Sequence, residues 1–353
     1  MRTNYIKLFI SGIFFFLFSC NESKYQNSQT FSISSFPEKI YLKGEIIDSD
    51  EIIMPSYIYI KDSLLFTINM RQSYLVSVFN VSDMTRIGDF IEFGSGPNEA
   101  LIVDGIQFID SLVWIIDQGQ RQANCYPWDQ FVQESEAIPL ETIRLNESFN
   151  KLLVTKNKLV ANSFLHIHSR LSFYDMQGNY LENKGELPNA GMQMTELELF
   201  ESYFCNMALN PIDESIFVAY MNTDLIEIYD SGGNLKTRMH GPDKFFPANR
   251  EKSVGDGAAL KVGFVAGKSR FAYMYPVAFE DEIWTTYNGK FIDPRNDKNF
   301  YFCNQIIVFN WDGIPIRHYT TDIAFYGIAI DRKNRTIYGV TINPEYSFVK
   351  FRF

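Results

Sequence analysis

Four side chains carry the carboxylate and amide oxygens that calcium prefers as ligands: Glu99, Asp104, Asn150 and Asn206. Each lies at or just before an apolar stretch with the composition of a β-strand. If these strands surround one axis, their ends converge, and the four side chains become a candidate metal site at the mouth of a central channel. Polar residues line any water-filled channel, so a purely structural role is the alternative.

Two histidines, His166 and His168, alternate along the chain. In an extended segment both side chains lie on one face and could share a metal ion. No third histidine or carboxylate lies close to them in sequence, which favours solvated loop histidines.

The segment 263–269, Gly-Phe-Val-Ala-Gly-Lys-Ser, is one residue short of a phosphate-binding loop between its glycines. No strand-loop-helix pattern surrounds it, so we do not expect nucleotide binding. The sequence also has no Gly-x-Ser-x-Gly motif for a nucleophilic serine. We therefore predict no catalytic residue.

The N-terminus is organised as an export signal, with Arg2 and Lys7 before an apolar run over residues 8–18. This run is too short for a membrane-spanning helix, which needs about 20 residues. The following Leu-Phe-Ser-Cys, ending at Cys20, resembles the lipobox of bacterial lipoproteins, in which the peptide is cut before the cysteine and its thiol is lipidated. We expect a lipoprotein signal peptide over 1–19 and a flexible tether over 20–36. An ordinary secretory signal is the alternative.

The charge balance excludes one class of partner. The chain has 42 acidic and 32 basic residues, a formal net charge of −10. Nucleic-acid binding needs clustered lysine and arginine, and we therefore exclude it. Beyond Cys20, the cysteines Cys125, Cys205 and Cys303 are scattered through apolar stretches, which predicts buried thiols.

The elements that must position these side chains come from one unit repeated six times. In each unit an aliphatic residue opens a strand, and an aromatic residue closes the next strand 13 to 15 residues later, or 26 residues later in the fifth unit. The openers are Leu64, Leu112, Leu159, Ile216, Ile283 and Ile337, and the closing aromatics are Phe79, Tyr126, Tyr174, Tyr229, Phe309 and Phe351. Alternating apolar residues and Asn, Asp and Gly turns indicate β-hairpins.

Apolar stretches before each opener and after each closing turn bring the unit to four strands. We therefore predict an all-β fold over residues 37–353, a six-bladed β-propeller of four-stranded antiparallel blades. The sequence ends just after the third strand of the sixth blade, and an N-terminal strand within 38–47 is expected to supply the fourth and close the ring. Two β-sandwich domains are the alternative.

Four long connections are expected on one rim of the propeller: 133–148, 181–203, 240–270 and 288–302. Loops on a rigid scaffold often carry binding residues. The candidate anchors for a ligand or partner are the aromatic residues Phe245, Phe246, Phe291, Phe300 and Tyr301. The alternative is that this rim merely tolerates insertions.

The loop Gly94-Ser95-Gly96-Pro97-Asn98-Glu99, with the corner 118–121 that follows, resembles an NHL-repeat blade. We expect Gly94, Gly96, Pro97, Asn98 and Glu99 to form a structural loop. Together with the lipobox and the six degenerate repeats, the chain is similar to the TolB-like six-bladed propeller lipoproteins. This resemblance implies the fold and a location in the cell envelope, on the outer membrane, periplasmic or surface face, but no agreed chemistry.

The leading hypothesis is a lipid-anchored envelope propeller that binds a protein, peptide or glycan on its loop-rich face, without catalysis and without a cofactor. The rival follows from a likeness to six-bladed lactonases and related hydrolases, which hold calcium in the central channel. It is a calcium-dependent lactonase-like or lyase-like enzyme that uses the four oxygen-bearing side chains named first. The metal content of the purified protein distinguishes the two.

Overall fold

The computed structural model describes residues 25–353, except 71, 134–137, 189, 255–258, 294, 296, 298 and 343–344. The signal peptide and Cys20 therefore lie outside the described residues. Three short strands come first: β1 (Ser28–Thr30), β2 (Glu38–Leu42) and β3 (Gly44–Ile47), with a 3₁₀ helix (Ile33–Ser35) between β1 and β2.

Sheets of successive strands make up the rest of the chain. The first sheet contains β4 (Pro55–Lys61), β5 (Leu64–Asn69), β6 (Tyr74–Asn80), β7 (Arg86–Phe93) and β8 (Glu99–Ala100). The second contains β9 (Val103–Ile109), β10 (Leu112–Asp117), β11 (Gln122–Pro127) and β12 (Glu141–Arg144), with helix α1 (Trp128–Gln133) before β12. The third contains β13 (Phe149–Val154), β14 (Leu159–Ser163), β15 (Ser169–Tyr174) and β16 (Tyr180–Glu186).

Helix α2 (Glu196–Ser202) leads to the fourth sheet, which contains β17 (Cys205–Leu209), β18 (Ile216–Tyr220), β19 (Leu225–Tyr229) and β20 (Leu235–His240). A hairpin of β21 (Arg250–Val254) and β22 (Ala259–Gly263) follows. The last sheet contains β23 (Tyr273–Ala278), β24 (Glu282–Tyr287), β25 (Cys303–Asn310), β26 (Pro315–Asp331), β27 (Thr336–Ile342) and β28 (Tyr346–Arg352).

The main strands of each sheet pair antiparallel with their neighbours in chain order. Strand β26 is 17 residues long, and because its first part pairs with β25 and its second part with β27, it joins two groups of strands into one sheet. The first strands contact one another in a circle: β4 with β9, β9 with β13, β13 with β17, β17 with β23, β23 with β26, and β26 with β4. The predicted all-β propeller fold is confirmed.

The closing aromatics of the repeat form the core between neighbouring sheets. All six are buried, at 0 to 1% exposure. Phe79, for example, packs against Phe348 with ring centroids 5.2 Å apart. Burial of one such ring contributes roughly 1.5–3 kcal/mol, so a recurring aromatic at this position holds each sheet to the next. Cys125, Cys205 and Cys303 are buried free thiols, as predicted.

The first strand of each sheet defines two rims. It begins at what we call the loop rim and ends in a short turn at what we call the turn rim. Three long connections lie at the loop rim: the stretch with α2, the stretch with the β21–β22 hairpin, and residues 288–302. The expectation that 133–148 lies there too is wrong, because α1 belongs to the connection from β11 to β12 at the turn rim and 141–144 is itself a strand paired with β11.

The flexible tether expected over 20–36 is wrong for residues 25–36. Strand β1 pairs parallel with β20, with Ser28 opposite Arg238. Tyr25, Phe31 and Phe36 are buried, at 1, 6 and 2% exposure. These aromatic side chains fix the segment to the propeller, although the polar residues between them suggest a linker.

The next two N-terminal strands also lie along sheet edges. Strand β2 pairs parallel with the first part of β26, and Glu38 lies opposite Arg317. Strand β3 pairs antiparallel with β28, and Gly44 lies opposite Phe351. Together, residues 25–47 form an N-terminal strap along the outside of the fourth sheet and the last sheet.

Candidate functional site

The first candidate site lies at the loop rim and centres on Arg270. Its guanidinium carbon lies 4.0 Å from the ring centroid of Phe291 and 5.4 Å from that of Phe245. One guanidinium nitrogen lies 3.8 Å from the carboxylate of Asp243. Phe291 is 48% exposed, so the cation and its aromatic neighbour reach solvent together. We call Asp243, Phe245, Arg270 and Phe291 the loop-rim cluster.

A buried carboxylate, Asp224, holds the loop that presents this cluster. Its Oδ2 accepts hydrogen bonds from the backbone N–H groups of Asp243, at 2.6 Å, and Lys244, at 2.5 Å. The backbone N–H of Asp224 in turn donates to the carbonyl of Phe245. The Tyr287 hydroxyl donates to the Asp243 carboxylate at 2.9 Å. The loop is therefore fixed at both Asp243 and Phe245.

Asp224 is fully buried, and its Oδ1 has no hydrogen-bond partner in the described part of the chain. Burial raises the pKa of Asp224 to about 8, and the nearby charge of Asp243 adds to this, although the two backbone N–H groups act in the opposite direction. Asp224 therefore keeps its proton to a higher pH than an ordinary aspartate does.

The other predicted aromatic anchors are half-buried rather than exposed. Phe246 packs against Tyr25, with ring centroids 5.1 Å apart. Phe300 stacks on Phe271 at 5.8 Å, and Tyr301 contacts Tyr326 at 5.5 Å. Of the five predicted anchors, only Phe291 is exposed, so these three rings mainly support the rim.

The second candidate site is a cavity of about 380 Å³ among the first strands of the sheets. Its walls include residues of β4, β9, β13, β17, β23 and β26. The walls continue to exposed residues in the turns at the turn rim, among them Asp110, Lys156 and Pro211. The cavity therefore opens on the rim opposite the loop-rim cluster.

Lys151 joins a polar network inside this cavity. Its ammonium group donates to Asp104 Oδ1 at 2.7 Å and to the Tyr57 hydroxyl at 2.8 Å. Tyr57 donates in turn to Asn206 Oδ1 at 3.1 Å. Burial alone would lower the pKa of Lys151, but the attraction of Asp104 and Tyr57 outweighs it and raises the pKa. We call Tyr57, Asp104, Lys151 and Asn206 the cavity network.

The four candidate calcium ligands do not come together. Asp104 and Asn206 both belong to the cavity network, but Asp104 Oδ1 accepts from the Lys151 ammonium group and Asn206 Oδ1 accepts from the Tyr57 hydroxyl. Asn150 donates instead to Asn162 and to the carbonyl of Cys205. Glu99 accepts from the backbone N–H of Gly96 at 2.6 Å.

The four side chains make their contacts with protein groups in separate places. Across the described residues, no group of three His, Cys, Asp or Glu side chains is placed to hold a metal. The calcium hypothesis stays a prediction for metal analysis.

The loop that ends at Glu99 closes on itself. A Cβ at Gly94 or Gly96 would lie within 3.0 Å of the Glu99 carboxyl group, so the two glycines let this side chain pack close to the backbone. Pro97 and Asn98 form the turn between them and Glu99. The loop's glycines and Glu99 thus contact one another rather than a cavity.

The two histidines lie in a turn and have different partners. His166 Nε2 lies 3.2 Å from Glu147, and His168 Nε2 lies 3.5 Å from Glu196. The His168 side chain is 70% exposed. The turn geometry separates the rings, so the pair does not form a shared metal site.

Arg270, Lys151 and Tyr57 were missed by sequence reasoning. Lys151 could have been noticed in the sequence, because it is the single charged residue of the strand Phe149–Val154. Arg270 carries none, since its partners come from connections that only the fold brings together.

Comparison with known proteins supports the fold. The family model described as TolB-like 6-blade propeller-like matches residues 35–333. A search of the curated proteins finds no match. Among solved structures, a protein described as exported from Bacteroides fragilis is similar, with a TM-score of 0.52, 12% identity, and coverage of 92% of this chain and 99% of that one.

A member of the DUF4221 family from Bacteroides vulgatus is similar too, with a TM-score of 0.52 and 8% identity over 88% of this chain and 96% of that one. At these identities the likeness concerns the fold alone. The described residues contain no helix that is long and apolar enough to cross a membrane. Because the family model covers most of the sequence and the strands form a propeller, this chain belongs to the TolB-like 6-blade propeller-like family.

Proposed function

We propose that this protein is a lipid-anchored propeller of the cell envelope that binds a protein or peptide at its loop rim without catalysis. The lipobox at Cys20 and the fold shared with an exported Bacteroides fragilis protein support the envelope location.

The proposal includes a ring of six blades closed by the N-terminal strap. The family description supports the number of blades. The antiparallel pairing of β3 with β28 supports closure, because β3 then takes the place of the fourth strand beside the chain's last strand. A closed ring leaves no unpaired edge at that position.

The loop-rim cluster carries the binding proposal. It offers an exposed aromatic ring, a guanidinium group that is 25% exposed and a carboxylate that is 46% exposed. Hydrogen bonds to the buried Asp224 hold the loop that carries Asp243. Arginine and aromatic residues are enriched among the side chains that dominate binding energy at protein interfaces. Preorganised side chains also lose less entropy on binding. This combination favours a protein or peptide over a glycan as the partner.

The test has two stages. Immobilised protein first captures partners from an envelope extract, and a captured protein is then purified. The affinity of this partner is measured for the wild type, Phe291→Ala and Arg270→Ala. We expect each substitution to weaken binding about 30-fold, the size typical of a residue that dominates an interface.

Ile314→Ala is the matched control. Ile314 is 58% exposed and lies in the turn between β25 and β26, at the turn rim. It should keep wild-type affinity. A partner whose affinity falls with Ile314→Ala but not with either loop-rim substitution would place binding on the other rim.

A further inference from the structure

We propose that the central cavity is a second binding site, which takes a small neutral sugar from the turn rim. The cavity is separate from the loop-rim cluster and does not depend on it. Its volume of about 380 Å³ falls within the range of small-molecule sites. The chemistry of its walls defines the class of ligand.

The network inside the cavity is electrically balanced. Lys151 and Asp104 form an ion pair at 2.7 Å, with side chains only 11 and 17% exposed. An anion or a cation bound beside this pair would bring an unmatched charge into a poorly solvated site, which is costly. A neutral ligand avoids that cost.

The network also offers unused donors and acceptors side by side. In the network, Asp104 uses Oδ1 and Asn206 uses Oδ1. Within the described part of the chain, Asp104 Oδ2 accepts no hydrogen bond and Asn206 Nδ2 donates none. Lys151 uses two of its three N–H donors. A hydroxyl group both donates and accepts, so neighbouring hydroxyls of a sugar match this arrangement.

Aromatic surface completes the site. The Tyr57 and Tyr59 rings stack with centroids 6.4 Å apart, and Tyr275 meets Tyr57 edge-on at 5.3 Å. All three tyrosines line the cavity. Rings of this kind pack against the C–H faces of a sugar, while the network binds its hydroxyls.

The mouth of the cavity is held in shape by its own turns. The backbone N–H of Lys156, in the turn after β13, donates to the Glu214 carboxylate, in the turn after β17, at 2.7 Å. Both residues line the cavity. Linked turns keep the entrance defined, which suits a preformed small-molecule site.

The experiment measures binding of glucose, mannose, N-acetylglucosamine and lactose to the full-length protein by saturation-transfer NMR and calorimetry. Glutamate and spermidine serve as the charged probes. We expect at least one of the sugars to bind and neither charged probe to do so. Asn206→Ala should weaken sugar binding about five- to tenfold, the effect of one lost hydrogen bond.

Because removing Lys151 alone leaves a buried carboxylate unpaired, its test is the double substitution Lys151→Met with Asp104→Leu, checked for folding by circular dichroism. The folded double variant should lose sugar binding, and Ile314→Ala should retain it. Binding of none of the four sugars, tighter binding of a charged probe, or sugar affinity unchanged in Asn206→Ala and the double variant would overturn the proposal.

Discussion

At the scale of single residues, Asp224 shows how a buried acid supports an exposed cluster. Its carboxyl group fixes the backbone of Asp243 and Lys244, and Asp243 in turn faces Arg270. The two N–H groups favour the charged form of Asp224, but the cost of burying a charge is larger and favours the protonated form. This arrangement ties the stability of the loop rim to pH.

We expect the melting temperature of the wild type to fall relative to that of Asp224→Asn as pH rises from about 4 to 8. The pKa of Asp224 is raised to about 8 by burial, whereas an unfolded aspartate titrates near 4, so the unfolded state loses its proton first and is favoured as pH rises. Each unit of pKa difference corresponds to about 1.4 kcal/mol. Asp224→Asn should flatten this slope, since the amide oxygen still accepts both N–H bonds.

The measurement is a thermal melt at several pH values. Asp312→Asn, at an exposed turn, is the control and should keep the wild-type slope. Asp224→Ala removes the acceptor and should lower stability at every pH. An Asp224→Asn protein with the full wild-type slope would show that another group causes the pH dependence.

The sequence identifies some of the residues that line these sites, but it does not identify the residues that they contact. Asp104 and Asn206 both line the central cavity, and their positions at strand starts are visible in the sequence. The sequence does not reveal that Lys151 binds Asp104 and Tyr57, because these three residues come from three different sheets. The same applies to Arg270, whose contacts join two separate loops.

At the scale of elements, the turns and strands follow local rules. In the turn after β19, Asp230 Oδ1 accepts from the backbone N–H of Asn234 at 2.8 Å, and Gly233 has φ +80°. Such turns are visible in sequence because only a few residue types adopt these conformations. Helix α1 is not visible in the sequence, because a helix of fewer than two turns is too short to show a periodic pattern of apolar residues.

The N-terminal strap is the element that local composition describes worst. Its polar residues predict a linker, yet Phe31 and Phe36 pack on Phe309 with centroids 5.3 and 5.7 Å apart. Three widely spaced aromatic residues have no strand or helix period, so only tertiary packing orders them. Burial here outweighs the local preference of the chain.

Phe31→Ala and Phe36→Ala should each destabilise the protein by about 3–5 kcal/mol, the range for truncating a buried phenylalanine, with the lower end favoured at a surface strap. Chemical denaturation measures the free energy of unfolding. Tyr41→Ala, in the same strap but 61% exposed, is the control. Wild-type stability of both phenylalanine variants would restore the interpretation of this segment as a free tether.

At the scale of the whole molecule, the regular spacing of openers and closing aromatics predicts the architecture well. The six closing aromatics are all buried, and sheets arranged in a circle require such a pattern to recur along the sequence. The distribution of loops between rims is less predictable, because a connection and a following strand look alike in a polar stretch such as 133–148.

Lipid anchoring is tested at this scale. We expect the protein, expressed in a host with lipoprotein processing, to incorporate a fatty-acid probe and to sediment with membranes. Cys20→Ser should abolish the label and release the protein from the membrane. The acyl chains supply the binding free energy, about 0.8 kcal/mol for each methylene buried in the bilayer. Cys125→Ser, at a buried thiol, is the control. If the wild type is not labelled, the lipid-anchor proposal is wrong and the N-terminus is an ordinary secretory signal.

The burial of Tyr25 has a consequence for how the protein stands on a bilayer. Its hydroxyl lies 2.8 Å from Thr223, in the loop-rim turn between β18 and β19. The five-residue step from Cys20 to Tyr25 reaches at most about 18 Å. If Cys20 is lipidated, a connection this short would keep the Arg270 end toward the headgroups and the mouth of the central cavity facing away from them. A protein that binds the loop-rim cluster would then have to do so at the lipid surface, whereas a small molecule could enter the cavity from open water.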